Sequence, residues 1–151
     1  MLSIDTNLLL FSVNQDCAEH LKARSFVEAC VERSDVAIAE LVLVELYVLL
    51  RNPAVLRKPL GAMEAAAICQ PFRTHPRWAL IDCAPVMARV WEAAARKGTA
   101  RRRIFDARLA YTLLHHGVLE LATHNVKDFG DFGFERIFDP LVDSDSPNPV
   151  V

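Results

Sequence analysis

Three acidic residues far apart in the chain could do chemistry together: Asp5, Glu45 and Asp106. Asp5 follows the apolar start "MLSI" and precedes the apolar run "LLLF", which together suggest a buried strand and its exit. An ionised carboxylate taken out of water costs free energy unless another group satisfies it. Asp5 therefore has either a structural partner, as the cap of the turn after the strand, or a chemical role.

Helical periodicity predicts that Asp106 faces the protein interior. At about 100° per residue, Ala110 and Leu113 lie within about 40° of Asp106 in "FDARLAYTLLHHG". Thr112 falls on the opposite face, which is predicted to contact water. A carboxylate placed only for solubility would not lie in the apolar stripe, although a carboxylate in a first turn also favours the helix dipole.

The same construction separates the two glutamates of "AELVLVEL". Leu49 lies within about 40° of Glu45, whereas Glu40 falls on the far side of the helix. Glu45 is therefore predicted to point inward and Glu40 outward. Taken alone, Glu45 could equally be the partner of a buried arginine.

The elements that position these residues alternate along the chain. The segments "LSI", "VAIA", "RWALID" and "LELAT" predict strands, "GFERIFDPL" an edge strand, and the longer segments between them helices. One of these helices, "APVMARVWEAAARKG", has Pro85 in its predicted first turn. This alternation is typical of an α/β fold with a mainly parallel sheet of about four or five strands. Because the carboxyl ends of such strands share one edge, the acidic residues are predicted to converge there.

Clustered carboxylates repel one another, and a divalent cation relieves that repulsion. Mg²⁺ prefers oxygen ligands and retains several waters, so two or three carboxylates are enough to hold it. Mn²⁺ is a possible substitute, and no His or Cys cluster favours a softer metal. Such a site can orient a phosphodiester and activate a water against it. The sequence therefore predicts a metal site that acts on phosphate esters.

Four segments in this order, "SIDTN", "VLVELYVLLRN", "IFDARLAYTLLHHG" and "LATHNVKDF", resemble the PIN-domain ribonucleases. Within them the chain is most similar to the VapC toxins of bacterial toxin–antitoxin pairs. The resemblance extends over about residues 1–142. It implies a three-layer α/β/α sandwich and a Mg²⁺-dependent endoribonuclease that cleaves RNA phosphodiester bonds with a metal-activated water.

The resemblance also implies roles for individual residues. Asp5, Glu45 and Asp106 would be the acidic metal ligands. Asn125 stands where many members of the family carry Asp, so one well-occupied metal is expected and a second only with RNA. Supporting roles are expected for Thr6, Asn7, Thr123 and Asp128.

RNA binding needs positive charge, and the segment "ARKGTARRR" supplies it before Asp106. Arg101, Arg102 and Arg103 are hypothesised to hold the phosphates beside the scissile bond, the alternative being an ordinary solvated charge run. The resemblance implies an RNA substrate, with transfer RNA a frequent target of the family. It also implies two protein partners, a small cognate antitoxin and a second copy of the chain.

Length and composition bound the remaining possibilities. The 151 residues fit one domain, predicted over residues 1–142, with a disordered tail at residues 143–151. A formal charge of -2 excludes a strong global attraction to nucleic acid. No apolar run approaches the ~20 residues of a membrane span. The four cysteines form no C-x-x-C pair, which predicts buried, reduced thiols in a cytoplasmic protein.

Two functions from other classes stay open at this point. Asp5 could be the nucleophile of a phosphatase, although haloacid-dehalogenase-like enzymes carry a second Asp at the position of Asn7. The neutral Asn125 also leaves room for a catalytically silent binding module with the same fold.

Overall fold

The central feature is a sheet of five parallel strands in the order β3-β2-β1-β4-β5. The structure, a computed structural model, describes residues 1–142, and the tail predicted at residues 143–151 lies outside the described residues. The elements are β1 (Leu2–Ile4), α1 (Thr6–Val13), α2 (His20–Val31), β2 (Val36–Ala39), α3 (Glu40–Leu50), α4 (Ala62–Arg73), β3 (Ala79–Ile81), α5 (Met87–Ala94), α6 (Arg103–His115), β4 (Glu120–Ala122), α7 (Val126–Phe129) and β5 (Arg136–Phe138).

The strand order reverses at β1, and this reversal places the site. The chain moves from β1 to β2 and β3 on one side, then returns to the other side of β1 for β4 and β5. Leu2 is accordingly paired with Val36 on one side and with Glu120 on the other. In open α/β sheets ligands bind at the carboxyl ends of the strands where the order reverses. Here that position is the residue after β1, Asp5.

The core fills both faces of the sheet and confirms the α/β sandwich. All residues of β1 and β2 are buried, as expected for central parallel strands covered on both sides. Contacts divide the helices into one group of α1 to α4 and another of α5 to α7. Within residues 1–142 no helix is both long and apolar enough to cross a bilayer.

The strand predicted from "LSI" is confirmed, but the apolar run "LLLF" after Asp5 belongs to a helix that was not predicted. Only Leu2–Ile4 is a strand, and α1 begins at Thr6, directly after Asp5. Leu8, Leu9 and Leu10 are all buried, so the helix shows no polar face. An apolar run without periodicity does not distinguish a buried helix from a strand, which is why the sequence did not predict α1. It also did not predict the short helix α7.

Three further expectations were wrong. Thr112 is buried rather than exposed, although Arg108 and His115 on the same side of α6 are exposed, and α6 packs against both α5 and α7. Pro85 precedes α5 instead of lying in its first turn, since the helix begins at Met87 after a turn that joins Val86 N–H to the Ala84 carbonyl. All four cysteines are free, but Cys83 is exposed because it lies in the turn after β3.

Candidate active site at the carboxyl edge of the sheet

The Asp5 carboxylate lies at the centre of the candidate site and is satisfied by three donors. Its Oδ1 accepts from the Thr6 backbone N–H at 2.8 Å, which caps α1. Its Oδ2 accepts from Asn7 Nδ2 at 2.9 Å and from Thr123 Oγ1 at 2.6 Å. The side chain is only 7% exposed. Asp5 thus has the structural role and a position at the reversal point of the sheet.

Asn7 and Thr123 join the ends of β1 and β4. Asn7 Nδ2 lies 3.2 Å from Thr123 Oγ1, and Asn7 Oδ1 accepts from the His124 backbone N–H at 3.2 Å. Thr123 Oγ1 also accepts from the Asn125 backbone N–H at 3.0 Å. The supporting residues predicted from "DTN" and "THN" therefore form one hydrogen-bonded network, which fixes the orientation of the Asp5 carboxylate.

Glu45 reaches the same network but is not buried. Its Oε2 accepts from Thr6 Oγ1 at 2.9 Å, which places it beside Asp5. The residue is nevertheless exposed, so the prediction that it points into the protein interior was wrong. The reason is that the site is an open cleft: Glu45 faces the cleft and not the core. Glu40 is half-buried and pairs instead with Arg73, with Nε to Oε1 at 2.7 Å.

Asp106 completes the group of three carboxylates. It is half-buried in the first turn of α6. Its pKa is raised to about 6, mainly by burial and in addition by the charges of Asp128, Asp5 and Glu45, while Arg103 opposes the rise. Burial likewise raises the pKa of Asp5 to about 6, against the donors Thr123, Thr6 and Asn7 and with Glu45 adding to the rise. The carboxylates are thus close enough to oppose one another's ionisation.

The oxygen atoms at this site fit a hard divalent cation. The side chains that could act as metal ligands carry carboxylate, amide and hydroxyl oxygens, which Mg²⁺ and Mn²⁺ prefer. Within residues 1–142 no three His, Cys, Asp or Glu side chains form a ready-made metal centre. Mg²⁺ retains several waters and does not require three direct protein ligands. The chemistry of the donors and the raised pKa values of Asp5 and Asp106 therefore agree with a hydrated cation at this edge.

Two further residues lie beside this group: Asn125 directly precedes α7, and Asp128 lies within it. Both side chains are exposed, and Asp128 is near enough to raise the pKa of Asp106. The structure thus brings the acidic residues predicted from four segments to one edge of the sheet.

The three arginines before Asp106 differ from one another. Arg103 Nη1 donates to the Asp128 carbonyl at 2.9 Å, its Nη2 pairs with Asp131, and its guanidinium lies over the Phe132 ring. Arg103 therefore links α6 to α7, a structural task that the prediction of a phosphate contact did not include. Arg101 and Arg102 are exposed, and their contact with RNA stays a prediction.

The sequence analysis did not predict the hydrogen-bonded pair of His124 and Asp139. His124 Nδ1 lies 2.7 Å from Asp139 Oδ2. Asp139 directly follows β5, just as Asp5 directly follows β1. The signal that could have found it is the rule already applied to Asp5, since residues that follow parallel strands meet at one edge.

Comparison with known proteins agrees with this architecture. No family model matches the chain. Among solved structures, VapC20 of Mycobacterium tuberculosis, described as a Sarcin-Ricin loop cleaving toxin, superposes with a TM-score of 0.67 at 19% identity, covering 89% of this chain and 96% of that one. The DNA-bound VapBC complex of Salmonella typhimurium gives 0.60 at 21% identity over 92% and 97%. These likenesses show the fold, which is that of the PIN domain.

Sequence similarity identifies the family to which the chain belongs within this fold. Ribonuclease VapC24 of Mycobacterium tuberculosis, in strain H37Rv and in strain CDC 1551, is 59% identical over 141 residues, or 93% of this chain and 97% of the relative. The chain therefore belongs to the VapC family of PIN-domain ribonucleases. This membership favours a ribonuclease over the phosphatase that Asp5 alone left open.

Proposed function

We propose that this VapC ribonuclease is the toxin of a toxin–antitoxin pair and cleaves RNA in the cytoplasm as a Mg²⁺-dependent endonuclease. The observation that carries the proposal is the meeting of Asp5, Glu45 and Asp106 at the reversal point of the sheet. Two of these carboxylates have a pKa raised to about 6, mainly by burial; Glu45 adds to the rise at Asp5, and Asp128, Asp5 and Glu45 add to it at Asp106. A bound cation would relieve the repulsion between these carboxylates and favour their ionised forms.

The residues of the site have two proposed roles: some would hold the cation, and others position the residues that hold it. Asp5, Glu45 and Asp106 would hold the metal, with Asn125 and Asp128 at the margin of the site. The chemistry that Mg²⁺ supplies when bound is neutralisation of the phosphate charge and activation of water. Thr6, Asn7 and Thr123 are positioning residues, because their hydrogen bonds orient Glu45 and Asp5.

A pair of glutamates on one helix tests the proposal. The full chain is incubated with total RNA in Mg²⁺ or in EDTA, beside the variants Glu45→Gln and Glu40→Gln. Both glutamates lie on α3, but only Glu45 contacts the Asp5 network, while Glu40 pairs with Arg73. We expect cleavage by the wild type and Glu40→Gln in Mg²⁺, none in EDTA, and a loss of at least about tenfold in Glu45→Gln.

A second readout does not depend on cleavage. Mg²⁺ should raise the melting temperature of the wild type and of Glu40→Gln, and raise that of Glu45→Gln less, because a ligand stabilises the state that binds it. Equal cleavage by the two variants, or cleavage that persists in EDTA, would contradict the proposed site. Silence toward RNA together with release of phosphate from a generic ester would favour the phosphatase, and silence toward both would favour the binding module.

We also propose a small antitoxin and a second copy of the chain as partners. The structural neighbours include VapBC and FitAB complexes. On α3 and α4 the apolar residues Val44, Val48 and Met63 are 62%, 56% and 85% exposed. Apolar residues without cover on neighbouring helices favour a protein interface. Co-purification with the product of an adjacent short reading frame tests the first partner, and the mass in solution tests the second.

A further inference from the structure

A cavity of about 550 Å³ opens beside the acidic group, between α7 and the end of β5. One wall carries His124, Asn125, Lys127 and Asp128, and the other carries Phe138 and Asp139. Its volume is within the range of about 300–1,000 Å³ that is typical of small-molecule sites. Asp128 lines the cavity and is near enough to Asp106 to raise its pKa, so the cavity adjoins the acidic group.

His124 is held in one orientation at the mouth of this cavity. Its Nδ1 bonds to Asp139 Oδ2 at 2.7 Å, and its ring meets the edge of the Phe11 ring at a centroid distance of 5.7 Å. Asp139 Oδ1 is occupied by the Leu141 backbone N–H at 2.9 Å. Since a carboxylate only accepts, Nδ1 of His124 carries the shared proton. Nε2 has no hydrogen-bond partner among residues 1–142 and is left for a ligand.

The cavity also offers a cation and an apolar wall. Lys127 is exposed and forms no salt bridge with the rest of the described chain. Ile137 and Phe138 supply apolar surface below it. One face of the Phe138 ring is covered by the Arg136 guanidinium at 4.3 Å. A hydrogen-bonding imidazole and an ammonium group beside apolar surface are groups that recognise an unpaired base with its phosphate.

We propose that this cavity binds the ribonucleotide next to the scissile phosphate, with His124 Nε2 and Lys127 as its polar contacts. The side chain of Asn7 connects the two sites, because its Oδ1 accepts from the His124 backbone N–H and its Nδ2 donates to the Asp5 carboxylate. A nucleotide in the cavity is thereby placed beside the acidic group. The inference rests on the proposed ribonuclease function and adds to it a subsite for the substrate.

The test measures RNA binding apart from cleavage. The full chain with Glu45→Gln, which weakens cleavage, is titrated in EDTA, which stops the remainder, with a fluorescent single-stranded RNA hexamer of random sequence. We expect His124→Ala and Lys127→Ala, each added to this background, to weaken hexamer affinity about tenfold. His116→Ala is the matched control, since His116 is exposed at the end of α6, before β4 and therefore at the opposite edge of the sheet.

Two amide variants separate contact with RNA from a structural role of His124. His124→Asn presents an amide near the position of Nδ1 and keeps the bond to Asp139, whereas His124→Gln presents one near Nε2. We expect Gln but not Asn to restore affinity, and melting temperatures within a few degrees for both. In the cleaving protein, His124→Ala should raise KM about tenfold and leave kcat nearly unchanged, since it removes binding and not chemistry.

The outcomes distinguish this inference from the proposed function. Wild-type hexamer affinity in both His124→Ala and Lys127→Ala overturns the subsite, even if Glu45→Gln weakens cleavage as proposed. Restoration by Asn and not by Gln also overturns it, because the role of His124 is then to hold Asp139. A tenfold loss of affinity in a protein that does not cleave RNA supports the subsite while the proposed activity fails.

Discussion

The raised pKa of Asp5 makes the stability of the protein depend on pH in a direction opposite to that of most paired carboxylates. Burial raises the pKa from 3.8 to about 6 in the folded chain. The folded state therefore binds a proton that the unfolded state releases between these values. Stability is greatest below pH 3.8 for this group and is lost as the pH rises through about 6.

The expected magnitude follows from the two pKa values. For a shift from 3.8 to about 6, the unfolding free energy falls by about 3 kcal/mol between a pH well below 3.8 and a pH well above 6. Between about pH 5 and pH 7.5 the same relation gives a loss of about 1.4 kcal/mol. The variant Asp5→Asn cannot titrate at this position, so its stability should lack this component. Any cost of the mismatched amide, of about 1–3 kcal/mol, is independent of pH and cancels in the comparison.

Urea unfolding of both proteins at the two pH values, in EDTA, measures this difference. The gap between wild type and Asp5→Asn should shift by about 1.4 kcal/mol in favour of the variant as the pH rises. Asp35→Asn is the flat control: a hydrogen bond from Arg33 lowers the pKa of Asp35, so this group is ionised in both the folded and the unfolded chain at these two pH values, and its gap to the wild type should not change. If the wild type and Asp5→Asn change in parallel with pH, burial does not govern the ionisation of Asp5 and the argument is refuted. Added Mg²⁺ should reduce the difference, since a cation favours the ionised form.

Four other substitutions have expected outcomes. Leu46→Ala should lower the urea-derived stability by about 2–5 kcal/mol, because Leu46 is fully buried on α3; a loss below about 1 kcal/mol would contradict its place in the core. Gly117→Ala should cost about 1 kcal/mol in the same assay, since Gly117 has φ +73° after α6 and alanine is strained there; an unchanged midpoint would argue against that conformation. Arg103→Met should lower the melting temperature, and Arg101→Met should lower RNA affinity instead; the reverse pattern would make Arg103 the phosphate contact.

The strands and most helices were predictable because local pattern and tertiary environment agree there. The four strand segments and the edge strand appear where β-branched and apolar runs indicated them. The meeting of Asp5, Asp106 and Asn125 at one edge followed from topology alone, without any side-chain information. Family membership adds the activity, which geometry by itself leaves open between several reactions of phosphate esters.

Glu45 and Thr112 show where periodicity stops being informative. A helical wheel finds the direction of a side chain but not what lies in that direction. Glu45 is directed toward the sheet edge, yet it meets an open cleft and Thr6 instead of the core. Thr112 is directed away from the sheet, yet it is buried, and α6 packs against both α5 and α7. Both errors come from tertiary packing, which a single helix does not encode.

The sequence left two roles open for Asp5, a structural one as a cap and a chemical one, and the structure makes the two compatible. Oδ1 caps α1 through Thr6, and Oδ2 receives Asn7 and Thr123 from the two sides of the reversal point. The cap restricts the carboxylate to one orientation, and the three donors lower its pKa against burial. A free carboxylate at this depth would take up a proton still more readily, and a protonated one would hold a cation poorly. The capping bond would therefore help to keep Asp5 available to the proposed cation.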